Sequence, residues 1–125
     1  MATRKQAIEV SDKTKRAVLD RQKFMSISGA TLFPSSTEFH HVVPRSASGV
    51  GYEWNIVALT FEEHRAYHDH QPIKVNGRVR FTWEEFDTLI HNHLKINYGG
   101  WSEKKCKFQK YKEEEDYEIH RRDKR

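Results

Sequence analysis

The stretch Glu38-Phe-His-His-Val-Val-Pro-Arg-Ser46, followed by Trp54-Asn-Ile-Val-Ala-Leu59 and then Thr60-Phe-Glu-Glu-His64, decides how this chain is read. Thr37 to Val43 is rich in β-branched and aromatic residues and predicts a short strand, which Pro44 ends because it has no N–H to give a ladder. Arg45 to Glu53 carries Ser46, Ser48, Gly49 and Gly51 and predicts an irregular loop. Trp54 to Leu59 predicts a second strand, antiparallel to the first. Thr60 and Glu63 then have the spacing of a capping box, in which the threonine hydroxyl caps a backbone amide and the carboxylate reaches back. A helix follows to about His70, with Pro72 just beyond it.

Five of the eight histidines fall between positions 40 and 70. His64 and His68 are spaced i, i+4, so their rings share one helical face about one turn apart, a geometry that can hold one transition metal. His40 and His41 are adjacent. On an ideal strand they point to opposite faces, which suits two different tasks: one ring as a ligand, the other free and near neutrality, where a proton acceptor works best. Pro44 also licenses an irregular strand end that would let both rings converge. His70, two residues past His68, is turned away around the helix.

Outward from this centre, Ser11 to Lys23 predicts a helix capped by Ser11, with Ala17, Val18 and Leu19 facing inward. Ser26 to Ser36 is a turn-rich connector. Ile73 to Phe81 predicts a hairpin turning at Asn76-Gly77. Thr82 and Glu85 form a second capping box, opening a helix over 82–98 with Phe86, Leu89, Ile90 and Leu94 on one face and a stop at Gly99-Gly100. The charge-dense tail 101–125 predicts a helix with Phe108, Tyr111 and Ile119 as a thin apolar stripe. His91 and His93 read as core edge or surface, Trp54, Trp83 and Trp101 as core and anchors, and Cys106 as inert.

With 125 residues, 36% hydrophobic and 32% charged, the chain has room for one small core under long solvated surfaces. No apolar run approaches the roughly 18 residues that span a bilayer, no apolar leader follows the first residues, and a single cysteine fits a reducing compartment. The expectation is a cytoplasmic protein with no membrane contact. The net charge of +4 is uneven: residues 1–23 carry +4, 24–100 carry −2, and 101–125 carry +2. A polyanionic partner would therefore be gripped largely by the two ends.

The motif in order, a histidine pair on a first strand, an asparagine on a second and a histidine on the following helix, resembles the HNH endonucleases, especially those of phages and mobile elements. It covers roughly residues 16–70, and Asn55 and His64 are nine residues apart, as in many members. The resemblance implies an α+β fold, a small ββα-metal core with flanking helices in residues 1–100. It implies His40 and His64 as ligands of one divalent metal, His41 as general base and Asn55 as a residue that ties the loop and orients the base. His68 matches a further ligand found in some relatives, including bacterial colicin DNases, and not in others. Arg45 would clamp a phosphate or pair with Glu38 or Glu53. Imidazole ligands favour Zn, Ni, Co or Mn, while family members often use Mg or Mn. The implied activity is hydrolysis of double-stranded DNA, as a nick or a cut, in phage DNA processing or packaging. The tail would offer a surface to a protein partner such as packaging machinery. The other class consistent with the residues is a metal-stabilised nucleic-acid-binding module without cleavage. Many relatives hold a structural zinc with two Cys-x-x-C pairs. The matching positions here are Met25, Ser28, Thr60 and Glu63, and Ser26-Ile-Ser-Gly29 looks like the remnant of the first knuckle, so no structural zinc is expected.

Overall fold

The computed structural model describes residues 2–122. Its centre is an antiparallel pair, β1 (Thr37–His41) and β2 (Ile56–Thr60), with His40 opposite Val57 and His41 opposite Ile56. Every residue from Ile56 to Leu59 is buried, which is why this strand reads as a continuous apolar run rather than an alternation. Val57 and Leu59 belong to the main core, with Val43, Phe86, Ile90, Leu94 and Tyr117. Ile56 and Ala58 face a smaller cluster with Val18 and Leu32. Residues directly opposite in such a pair share a face. Glu38 and His40 therefore lie on the side of the main core, and Phe39 and His41 on the other.

Among the described residues only β1 pairs with β2, so the outer edge of a buried strand must find other partners for its backbone groups. They are side chains. The helix α2 (Asp12–Gln22), which follows a single short turn of helix, α1 (Arg4–Ile8), ends with two of them. The amide of Gln22 works as a strand substitute, accepting from Ala58 N at 2.8 Å and donating to Ala58 O at 2.9 Å. Arg21 donates to Ile56 O at 2.7 Å and to Glu53 O at 2.8 Å, and Glu63 accepts from Thr60 N at 3.1 Å. Ile56 N closes a turn onto Glu53 O.

The capping boxes form as the spacing predicts. Thr60 and Glu63 open α3 (Phe61–His68), and Thr82 and Glu85 open α4 (Trp83–Asn97). Between them β3 (Ile73–Val75) and β4 (Arg78–Phe81) make the expected hairpin, with Asn76 and Gly77 both at positive φ. The fold is thus α+β. No helix among the described residues is long and apolar enough to cross a membrane.

Three expectations are corrected. The second strand starts at Ile56, not Trp54: residues Glu53–Asn55 form a 3-10 turn. The asparagine side chain is used on the preceding loop, which fixes that turn. The third helix stops at His68, since His70 takes a left-handed conformation (φ 54°). The tail is not a helix. Its described part makes two 3-10 turns, Glu103–Cys106 and Glu114–Tyr117, and a two-residue strand β6 (His120–Arg121) paired with β5 (Tyr98–Gly99). Its backbone bonds go to the loop before β2 instead: Val50 N donates to Cys106 O at 2.8 Å and Phe108 N to Ser48 O at 2.7 Å. Burial of Cys106 and of Tyr117, whose ring meets Tyr52 at 5.5 Å, wins over the 3.6-residue stripe, and Tyr111 is left exposed. Residues 123–125 of the tail lie outside the described residues.

Replacing Gln22 by Met keeps the volume and leaves both polar groups of Ala58 buried without partners. Each orphan costs about 1–3 kcal/mol. Urea denaturation of Gln22→Met should show a loss of roughly 3 kcal/mol with an unchanged m-value.

Candidate metal centre

The alternation along β1 separates the two adjacent histidines. His40, on the face covered by α3, meets the rings of His64 and His68 at centroid distances of 5.0 and 5.6 Å, and the two helical rings are 4.7 Å apart. One ligand nitrogen from each of His40, His64 and His68 lies within 4.8 Å of the others. His40 is buried, His64 half-buried and His68 exposed, so the group opens to solvent on one side.

The proton positions follow from the partners. A carboxylate only accepts, so His64 donates through Nδ1 to Glu38 Oε1 at 3.0 Å. Its Nε2 then carries the lone pair and stands 3.1 Å from Nδ1 of His40. Two imidazole nitrogens on one tetrahedral ion sit about 3.3 Å apart, given bonds of about 2.0 Å, so this pair is spaced for a shared cation. Burial, with the neighbouring His64, His68 and His41, pushes the His40 pKa down to about 3. The ring is therefore neutral at physiological pH, as a ligand must be. Nε2 of His40 is buried with no hydrogen-bond partner among the described residues. Three convergent imidazoles, one of them desolvated and one steadied by a carboxylate, fit a transition-metal ion.

His41 points the other way. Its Nε2 is 2.8 Å from the carbonyl oxygen of Ile8, which can only accept, so the proton is on Nε2 and Nδ1 is the basic nitrogen. Burial lowers its pKa; the Ile8 carbonyl raises it and Arg45 lowers it again, so the ring is held neutral.

Asn55 is fully buried and closes the loop between the strands. Its Oδ1 accepts from Val43 N at 2.8 Å, and its Nδ2 donates to Val43 O at 3.1 Å and Val50 O at 2.8 Å. A cleft of about 770 Å³ runs along β1, lined by all five of its residues, by His64 and His68, by Arg45 and by Lys15. The structure thus brings His40, His41, His64, His68 and Arg45 to one cleft and places Asn55 behind it.

Comparison of the chain with protein-family models, with curated proteins and with solved structures finds no match.

Other expected features fall outside the cleft. His70 stacks on Trp83 at 4.3 Å. His91 bonds the carbonyl of Asp87 at 2.8 Å, and His93 accepts from Arg21 at 2.9 Å. Arg45 pairs with neither Glu38 nor Glu53: Glu38 holds His64, and Glu53 accepts from the Tyr98 hydroxyl at 2.6 Å. At Ser28 and Glu63, the hydroxyls of Ser26 and Ser28 donate to the Glu63 carboxylate, which joins the connector to α3 by hydrogen bonds.

Three contributors escaped the sequence reading. Glu38 was legible, because it stands two residues before His40 and so shares its face. Lys15, poised over the Phe39 ring at 5.7 Å, comes from a helix that no local signal links to β1. The Ile8 carbonyl is backbone, and its residue type carries no sign of the role.

Asn55→Ala leaves three buried backbone groups unpaired and should cost about 3 kcal/mol in urea denaturation. Asn55→Asp should be no milder despite its shape, since a carboxylate would face the Val43 and Val50 carbonyls. Protonation would restore a donor, so the gap between Asn55→Asp and the parent narrows as pH falls.

Proposed function

We propose that this chain is a metal-dependent endonuclease hydrolysing phosphodiester bonds of double-stranded DNA, built on the ββα-metal arrangement of the HNH enzymes. One observation carries the reading. Three convergent imidazoles, His40, His64 and His68, share a cleft with a fourth, His41, that is not among them and whose basic nitrogen is set by a backbone carbonyl. A binding module stapled by a structural ion needs the three but gives the fourth no task. Structural sites are also closed, whereas His68 leaves this one open to the cleft.

A divalent cation held by His40, His64 and His68 would neutralise charge on the scissile phosphate and on the departing 3′ oxygen. The chain's own residues do the rest. His41 Nδ1 takes a proton from water as the water oxygen bonds to phosphorus. The bond from phosphorus to the 3′ oxygen breaks in line, that oxygen gains a proton from solvent, and a 5′-phosphate remains. Arg45 and Lys15, both at the cleft, offer cations to phosphate oxygens, Arg45 with a fork that can bind two at once. Glu38 keeps His64 in one tautomer and orientation. Asn55 does no proton chemistry; it holds the loop that carries Arg45.

Two measurements test this reading. Nickel titration of the chain by calorimetry should show one ion bound. His64→Ala should weaken it roughly 100-fold, the share of one ligand in a multi-histidine site, while His70→Ala leaves it unchanged. In a supercoiled-plasmid assay with manganese or magnesium the parent should nick DNA, and His41→Ala should nick about 100- to 10,000-fold more slowly with the ion still bound. No nicking with any divalent cation would remove the proposal. Parental rates from His41→Ala would remove the base assignment alone.

A further inference from the structure

His41 is fixed by a part of the chain far from the motif. The segment around α1 begins with a capping box in which Thr3 and Gln6 bond each other's backbone amides. It is laid against the loop between β1 and β2 at three points. Arg4 donates to Ser48 Oγ at 2.9 Å and to Arg45 O at 3.3 Å. Gly51 N donates to Ala7 O at 2.7 Å. Gly51 itself admits no side chain, because a Cβ there would stand 2.2 Å from Glu9 O and 2.9 Å from Ile8 O. Backbone therefore packs directly on backbone, and Ala7 and Ile8 are buried by it. The product of this docking is one carbonyl, that of Ile8, placed 2.8 Å from His41 Nε2.

We propose that the segment Thr3–Glu9 is a positioning strap for His41: its Ile8 carbonyl, seated by Gly51 and Arg4, holds the imidazole through Nε2–H and keeps Nδ1 as the free acceptor. The catalytic consequence rests on the reading of His41 as the base. Without the strap the Nε2–H of a buried ring has no acceptor, and the ring is free to rotate and to share its proton between two nitrogens. None of the hydrogen bonds that seat the strap involves His40, His64 or His68, so undocking lowers turnover and leaves ion and DNA binding in place. The loop that carries Arg45 is closed separately by Asn55, which bonds Val43 and Val50, so it keeps its place when the strap leaves.

The full-length Gly51→Ala variant tests this. Its methyl group must push the strap off the loop. In the parent, proton–nitrogen NMR should show a slowly exchanging Nε2–H on His41, the signature of a ring locked onto a carbonyl. In Gly51→Ala that signal should disappear. Plasmid nicking with manganese should fall about 10- to 100-fold in kcat, the usual effect of losing a partner that orients a reacting group. KM and nickel affinity should stay within about two-fold, where a general loss of structure would move all three. Arg4→Ala, which loosens the strap from its exposed side, should change the same readouts in the same sense by less, and serves if Gly51→Ala does not fold. The proposal is overturned if the Ala7 and residue-51 amides exchange faster in the variant while the His41 signal persists, or if KM rises and nickel affinity falls along with the drop in kcat. If the parent nicks no DNA and the His41 signal still vanishes in both variants, the strap stands and only the nuclease reading falls.

Discussion

The structure depends on completing β2. A two-stranded antiparallel pair is marginal in water, and here the second strand is buried on both faces with one strand neighbour. Its free edge would leave Ile56 O, both groups of Ala58 and Thr60 N desolvated. At about 1–3 kcal/mol each, those orphans would consume much of a small domain's stability of about 5–15 kcal/mol. Arg21, Gln22 and Glu63 supply the missing partners from two different helices. Arg21 does so at the cost of a buried charge. Burial lowers its pKa, while the Tyr98 hydroxyl and Glu53 act in the opposite direction. Because these three side chains must meet specific carbonyls and amides, they fix the position of α2 and the start of α3 against the strand to within hydrogen-bond tolerance.

That precision passes directly to the cleft. With β2 pinned, the register of β1 is set, and register decides which face each side chain takes. Slipping β1 by one residue would exchange the environments of His40 and His41. In the observed register the same side-chain type meets two sets of neighbours and gains two chemistries. His40 is desolvated among other imidazoles and loses its affinity for protons. His41 meets one carbonyl and becomes a ring with one defined basic nitrogen. The helix that delivers His64 is capped by Glu63, the residue that also completes the β2 edge, so the scaffold and the placement of His64 share one anchor.

Much of this was legible because it is local. The capping boxes at Thr60 and Thr82, the Asn76-Gly77 turn and the i, i+4 spacing of His64 and His68 are decided within a few residues of chain. The loop-tying bonds of Asn55 were legible but not their setting: a strand was expected, and its own bonds to Val43 and Val50 make a turn there instead. The tail was misjudged because its form is set by distant groups. Its amides and carbonyls bond residues 48–50, more than fifty positions away, and a stripe of three apolar residues could not compete with burying Cys106 and Tyr117. Ile8 marks the limit of residue-based reading, since the active atom is one that every residue has.

The junction of Ser26, Ser28, Thr60 and Glu63 shows how the two demands on this chain were kept apart. A single buried carboxylate there takes two hydroxyls from the connector and the amide that begins α3. Hydrogen bonds of this kind close the connector onto the helix whether or not a cation is present, while a metal clip couples folding to metal supply. The histidine group, in contrast, lies at a cleft, with His68 exposed and β1 at its unpaired edge. The bonds that order the scaffold therefore do not depend on filling the proposed cation site. On the proposed reading, the three imidazoles are then free to meet the needs of a reacting centre, an open coordination position and room for a substrate, that a site also responsible for holding the fold together would have to give up.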